Sequence, residues 1–117
     1  MSDGGFVFSA TDPWDASVVL TKATWEVHIV ERHPEMAGNE FAVQKTIEKP
    51  EAVYRSSWNP DAKIFLSRET ESTYPRLYTR VVVGYVDDSA GYVETAMFSK
   101  TIGGVKAGEL LYVKPKL

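Results

Sequence analysis

The stretch from Arg76 to Ser99 limits the fold more than any other part of the chain. From Arg76 to Val86 the side chains alternate, with Leu77, Val81, Val83 and Tyr85 on one face of an extended chain and Tyr78, Arg80, Val82 and Gly84 on the other. A helical wheel would scatter those apolar residues, so the period predicts a long, half-buried strand. Asp87-Asp88-Ser89-Ala90-Gly91 has the composition of a hairpin loop, and Tyr92 to Ser99 returns antiparallel. Gly103-Gly104 breaks that strand, and Glu109 to Val113 adds an edge strand.

Upstream, the same period continues back to Pro50. Val53-Tyr54-Arg55-Ser56 forms a short strand, Asn59-Pro60-Asp61 a turn, and Lys63 to Arg68 the next strand, with a polar connection from Glu69 to Pro75. Before Pro50 the pattern reads as helical. Thr21 is a candidate N-cap for a helix starting near Lys22, and Pro34 disfavours helical geometry at His33 and has no amide hydrogen to donate, so the helix ends there. Trp25 and Ile29 fall together on its wheel, whereas Val27 and Val30 lie toward the opposite side. A rival reading lets Trp25, Val27 and Ile29 alternate as a strand. The Thr21 cap and the charged Glu31-Arg32 end favour the helix. After a turn at Gly38, Phe41, Val43 and Ile47 suggest a shorter helix from about Asn39 to Ile47, closed by Glu48-Lys49 and Pro50. Phe6 to Ala10 reads as a short strand or arm stopped by Thr11-Asp12-Pro13-Trp14, and Val18-Val19-Leu20 leads into the first helix. The expected fold is therefore α+β, two N-terminal helices followed by an antiparallel meander of about four strands. It forms a single domain over residues 1–117, with residues 1–20 an extended or strand-forming arm.

Composition narrows the function. At 117 residues and 44% apolar content the chain buries one core without disulfides, and it has no cysteine to form them. That absence removes thiolate nucleophiles and cysteine-type zinc sites, and it fits a reducing, cytoplasmic setting. No apolar run approaches the roughly 18 residues of a membrane span, so a soluble protein is expected. Thirteen basic against 16 acidic residues give a net charge of −3, which does not suggest a protein held on nucleic acid by bulk charge. A local basic patch from Arg68, Arg76, Arg80, Lys100 and Lys106 is compatible with that balance, as is a mixed-charge surface. Glycine-rich phosphate loops, a nucleophile elbow and a dinucleotide fingerprint are absent. So is any His-Glu-x-x-His helix or calcium loop, and no metal or other cofactor is expected.

His28 and His33 are the only histidines, and a pair of groups titrating near neutrality is able to move protons in both directions during phosphodiester cleavage. A five-residue step on a continuous helix sets them about 140° apart, so they converge only if the chain turns back at Pro34. Otherwise His28 pairs at a helix edge and His33 orients the turn. Arg68, Arg80 and Thr95 lie on predicted strands, where guanidinium forks and a hydroxyl suit a scissile phosphate. A sheet face that is simply polar and solvent-exposed is the simpler explanation of the same residues. Tyr74, Tyr78 and Tyr92 are placed either to stack bases or to pack.

Four segments carry a resemblance: Trp25-x-x-His28-Ile29-x-x-Arg32-His33-Pro34-Glu35, Thr46-Ile47-x-x-Pro50-Glu51, Tyr78-x-Arg80-Val81-Val82-Val83, and Val93-x-Thr95-Ala96. Together they resemble the phage-associated branch of the barnase, EndoU, colicin and RelE-like nuclease superfamily, over roughly residues 20 to 112. The resemblance implies helices followed by a four-stranded antiparallel sheet, and metal-independent RNA cleavage in a toxin or phage setting. His28 or His33 would then be the helix-borne histidine, Arg68 or Arg80 the strand cation, and Thr95 the strand hydroxyl. The catalytic candidates are His28, His33, Arg80 and Thr95, with Arg68, Tyr78 and Arg32 binding substrate. The partners implied are RNA and a cognate inhibitor protein. The alternative is a non-catalytic module of the same fold that contacts a protein or nucleic acid through its sheet face.

Overall fold

A computed structural model describes residues 5–101 and 107–115, with Ala107 described by its backbone alone. Seven strands, β1 (Phe6–Thr11), β2 (Ser17–Thr21), β3 (Ala52–Ser56), β4 (Ala62–Ser67), β5 (Tyr78–Asp87), β6 (Ala90–Ser99) and β7 (Ala107–Val113), form one sheet in the order β1-β2-β6-β5-β4-β3-β7. The pairings are antiparallel except β2 against β6, which run parallel with Val18 opposite Gly91. This overturns the expectation of two N-terminal helices ahead of a four-stranded meander. The meander exists as β3-β4-β5-β6, but strands flank it on both sides and two of them precede any helix.

The correction starts at Asp12. Its carboxylate is buried and accepts the amide hydrogens of Trp14 and Ala16, each at 2.9 Å, while its own amide donates to the Ala16 carbonyl at 3.0 Å. That loop turns the chain back on itself, so Val18-Val19-Leu20 pairs with β1 on one side and β6 on the other instead of leading into a helix. β-branched residues suit that doubly paired position.

Helices cover one face of the sheet. The Thr21 hydroxyl accepts the Thr24 amide at 3.1 Å, as a cap does, but the segment Thr24–Val30 winds as a π-helix. In that wider turn residues five apart align, so Trp25 and Val30 come to the same side as Ile29. An α-helical wheel therefore shows no clean stripe. His33-Pro34-Glu35 opens a 3-10 turn over Pro34–Met36 that drives Met36 into the core. Gly38 follows at φ +83°, and α1 (Glu40–Glu48) buries Val43 and Ile47. These side chains pack with Phe65, Val81, Val83, Val93 and Leu20 into the main core. No helix among the described residues is long and apolar enough to cross a membrane. The expected break at Gly103-Gly104, like Lys106, lies outside the described residues.

Candidate functional site

Strand alternation sends Phe65, Val81 and Val83 toward the helices, so their neighbours Ile64, Leu66, Tyr78, Arg80 and Val82 face the opposite way. On that second face Arg80 lies opposite Leu66 of β4 and Met97 of β6, and Val82 lies opposite Thr95. Arg80 and Thr95 are thus diagonal neighbours on adjacent strands, about 7–8 Å apart along the sheet. The register of β6 shifts between Val93 and Thr95, which makes Glu94 an extra, bulged residue and lets Glu94 and Thr95 both line the same side. Gly84 accommodates this crowding: a Cβ there would come within 2.7 Å of the Tyr92 ring and closer still to the Glu94 carboxylate.

The result is a groove of about 660 Å³ with Arg80 and Thr95 in its wall, Ile64, Val82 and Met97 as its apolar floor, and Trp58 at its rim. Arg80 is half-buried, and burial pulls its pKa down from the ordinary arginine value, yet a guanidinium remains cationic at neutral pH. Farther along β5, the Arg68 guanidinium lies 4.7 Å above the Tyr78 ring. Tyr78 and Arg80 are one pleat repeat apart, about 7 Å. Arg68 follows the end of β4 and Arg80 lies on β5, so adjacent strands each bring one guanidinium to this face.

The structure brings Arg80 and Thr95 together, with Tyr78 and Arg68 beside them on the same face. It does not bring the histidines to them. His28 is exposed on the π-helical segment, on the outside of the layer whose inner side holds Trp25 and Ile29. His33 lies in the following turn, its Nδ1 3.7 Å from Glu35 Oε2, and Arg32 is exposed next to it. The sheet separates all three from Arg80 and Thr95. What the His-Pro-Glu segment does locally is structural. Asn39 donates to the Glu35 carbonyl at 3.2 Å and to the Thr73 hydroxyl at 3.1 Å, and accepts the Thr73 amide at 3.0 Å, tying this turn to the loop before β5.

Sequence reasoning missed Trp58 and Glu94. A tryptophan within the polar turn Ser57-Trp58-Asn59-Pro60 has no place in a core pattern, and that mismatch was the available signal. Nothing in the alternation marks Glu94, because a bulge resets the period only once strands pair.

A second cavity, of about 420 Å³, sits on the helix-covered side at the end of the sheet. Arg55 and Lys63 are its cations. The Lys63 ammonium lies 3.9 Å from the Trp14 ring centroid and 4.5 Å from that of Tyr85, and the Tyr85 hydroxyl donates to Asp12 at 2.6 Å. Burial lowers the Lys63 pKa, while burial and the Asp12 carboxylate push the Tyr85 phenol far upward, so it stays neutral. Among the described residues no group of three or more histidine, cysteine or acidic side chains is placed to hold a metal ion. Comparison with known protein families, curated proteins and solved structures finds no match. The functional reading therefore rests on the site.

Proposed function

We propose that the protein is an RNA-binding module that uses the helix-free face of its sheet. The observation that carries this reading is the placement of Arg80 and Thr95 in one groove, with the Arg68–Tyr78 pair one strand repeat away. A half-buried guanidinium is a good phosphate ligand because it is partly desolvated, forked and held by its strand. Threonine adds a hydroxyl donor, and apolar residues below offer sugar and base a dry surface. The segments that resemble phage-associated nucleases point to RNA as the polymer, and a cytoplasmic setting goes with that partner. Cleavage driven by His28 or His33 has no comparable support, because neither imidazole shares the groove.

Fluorescence anisotropy with a labelled single-stranded RNA in chelator tests the proposal. Arg80→Ala should weaken binding about tenfold, while His28→Ala and His33→Ala should leave it unchanged. Equal binding by wild type and Arg80→Ala would falsify it. Gel analysis of the same mixtures checks the chemistry: RNA cut by wild type but not by His28→Ala would return the histidine to a catalytic role and displace this reading.

A further inference from the structure

Trp58 stands 75% exposed at the rim of the groove that holds Arg80. So large an apolar surface is costly to leave in water, and its loop is not a loose one. The Ser56 hydroxyl accepts the amides of Trp58 and Asn59 at 3.2 and 3.3 Å, the Asn59 side chain accepts the Asp61 amide at 3.0 Å, and the Asn59 carbonyl accepts the Ala62 amide at 2.9 Å. Four hydrogen bonds within the seven residues Ser56–Ala62 order the backbone that carries the indole. A flat apolar ring on a pre-ordered turn beside a phosphate-binding cation is suited to an unpaired base, since little conformational entropy is lost when the base lands on it.

We infer that Trp58 is the stacking platform of the groove and that the ligand is single-stranded RNA, with one unpaired base on the indole and its phosphate at Arg80. This rests on the RNA reading above and deepens it. Bases locked in a duplex do not expose a free face to the ring, so double-stranded RNA is a poor ligand. Purines offer the larger ring, so oligoadenylate should bind more tightly than oligouridylate.

The test measures labelled oligoadenylate, oligouridylate and a matched RNA duplex against wild type, Trp58→Ala, Trp58→Phe and Arg80→Ala. Circular dichroism confirms that each variant is folded; Trp58 is exposed enough that its removal leaves the core intact. Trp58→Ala should bind oligoadenylate about tenfold more weakly and lose the preference for adenine, and Trp58→Phe should recover part of both. Full affinity and an unchanged base preference in Trp58→Ala, with Arg80→Ala still impaired, overturn the stacking inference and leave the RNA reading standing. If neither substitution alters binding, or wild type binds no RNA, both fail together. Duplex binding as tight as single-strand binding also overturns the inference.

Discussion

Asp12 is the residue on which the departure from the expected fold depends. One buried carboxylate satisfies two backbone amides of the β1–β2 loop and a phenolic hydroxyl from β5, and each of these donors would be left without a partner on truncation. A buried, unsatisfied donor costs about 1–3 kcal/mol. Asp12→Ala is therefore expected to destabilise the protein by roughly 2–4 kcal/mol in urea unfolding, at the upper end of single-residue effects. Tyr85→Phe removes only one of the three bonds and keeps the ring under Lys63, so its cost should be about 1 kcal/mol. An Asp12→Ala midpoint indistinguishable from wild type would show that the loop closes without its carboxylate. Asp12-Pro13 reads in sequence as a generic turn. Nothing local announces that its side chain is buried, because the Tyr85 partner lies 73 residues away.

At the scale of elements, β7 is the edge strand beside β3, tied near its start by Arg55 on Glu109 at 3.6 Å and just past its end by Lys114 on Glu69 at 2.9 Å. The Lys114 ammonium holds the Glu69 pKa below 4.5, and Glu69 in turn holds the Lys114 pKa above 10.5. The depressed carboxylate contributes stability that is present above pH 4.5 and fades as pH falls through its folded pKa. The raised ammonium contributes stability that is present below pH 10.5 and fades as pH rises through its folded pKa. Amide hydrogen exchange in β7, corrected for intrinsic rates, should show Lys114→Ala less protected than wild type at pH 7. The two should converge in acid, as pH falls through the lowered pKa of Glu69. A difference that persists undiminished into acid would mean that Lys114 acts through packing. The elements legible from sequence were those whose signal is local. The alternation of β5 and its hairpin with β6, the apolar spacing of α1 and the edge strand near Glu109 each sit within a few residues of their expected positions. β2 was not legible, because a short apolar run before a helix cap looks the same whether or not a distant strand pairs with it. The π-helical winding of Thr24–Val30 was equally hidden, since it depends on which side chains the core accepts.

Across the whole molecule, a net charge of −3 means that any affinity for RNA comes from a few placed cations. Counterion release for single strands scales as about −0.7 per phosphate neutralised, so Arg80 and Arg68 together predict a slope of about −1.4 in log K against log salt. Arg68→Ala should lower that slope by about 0.7, and a wild-type slope steeper than about −3 would reveal a broader basic surface and count against a two-arginine site. Half of the candidate site could be read in advance. Arg80 and Thr95 are legible because strands project alternate side chains rigidly, and pairing carries them to one face. The histidines stand out by their chemistry alone, and helix-on-sheet layering decides which side of the molecule such residues occupy. The same layering gives Trp14 an unusual reach. Its indole meets Phe65 of β4 edge-on at 6.4 Å and Tyr112 of β7 at 6.0 Å, although it belongs to the β1–β2 loop beyond the other margin of the sheet. Peeling away β7 strips only Tyr112 from that ring, whereas opening of the β1–β2 loop parts it from Phe65 and Lys63 as well, so the emission of one indole would report on both borders of the sheet and tell them apart by the size of its shift.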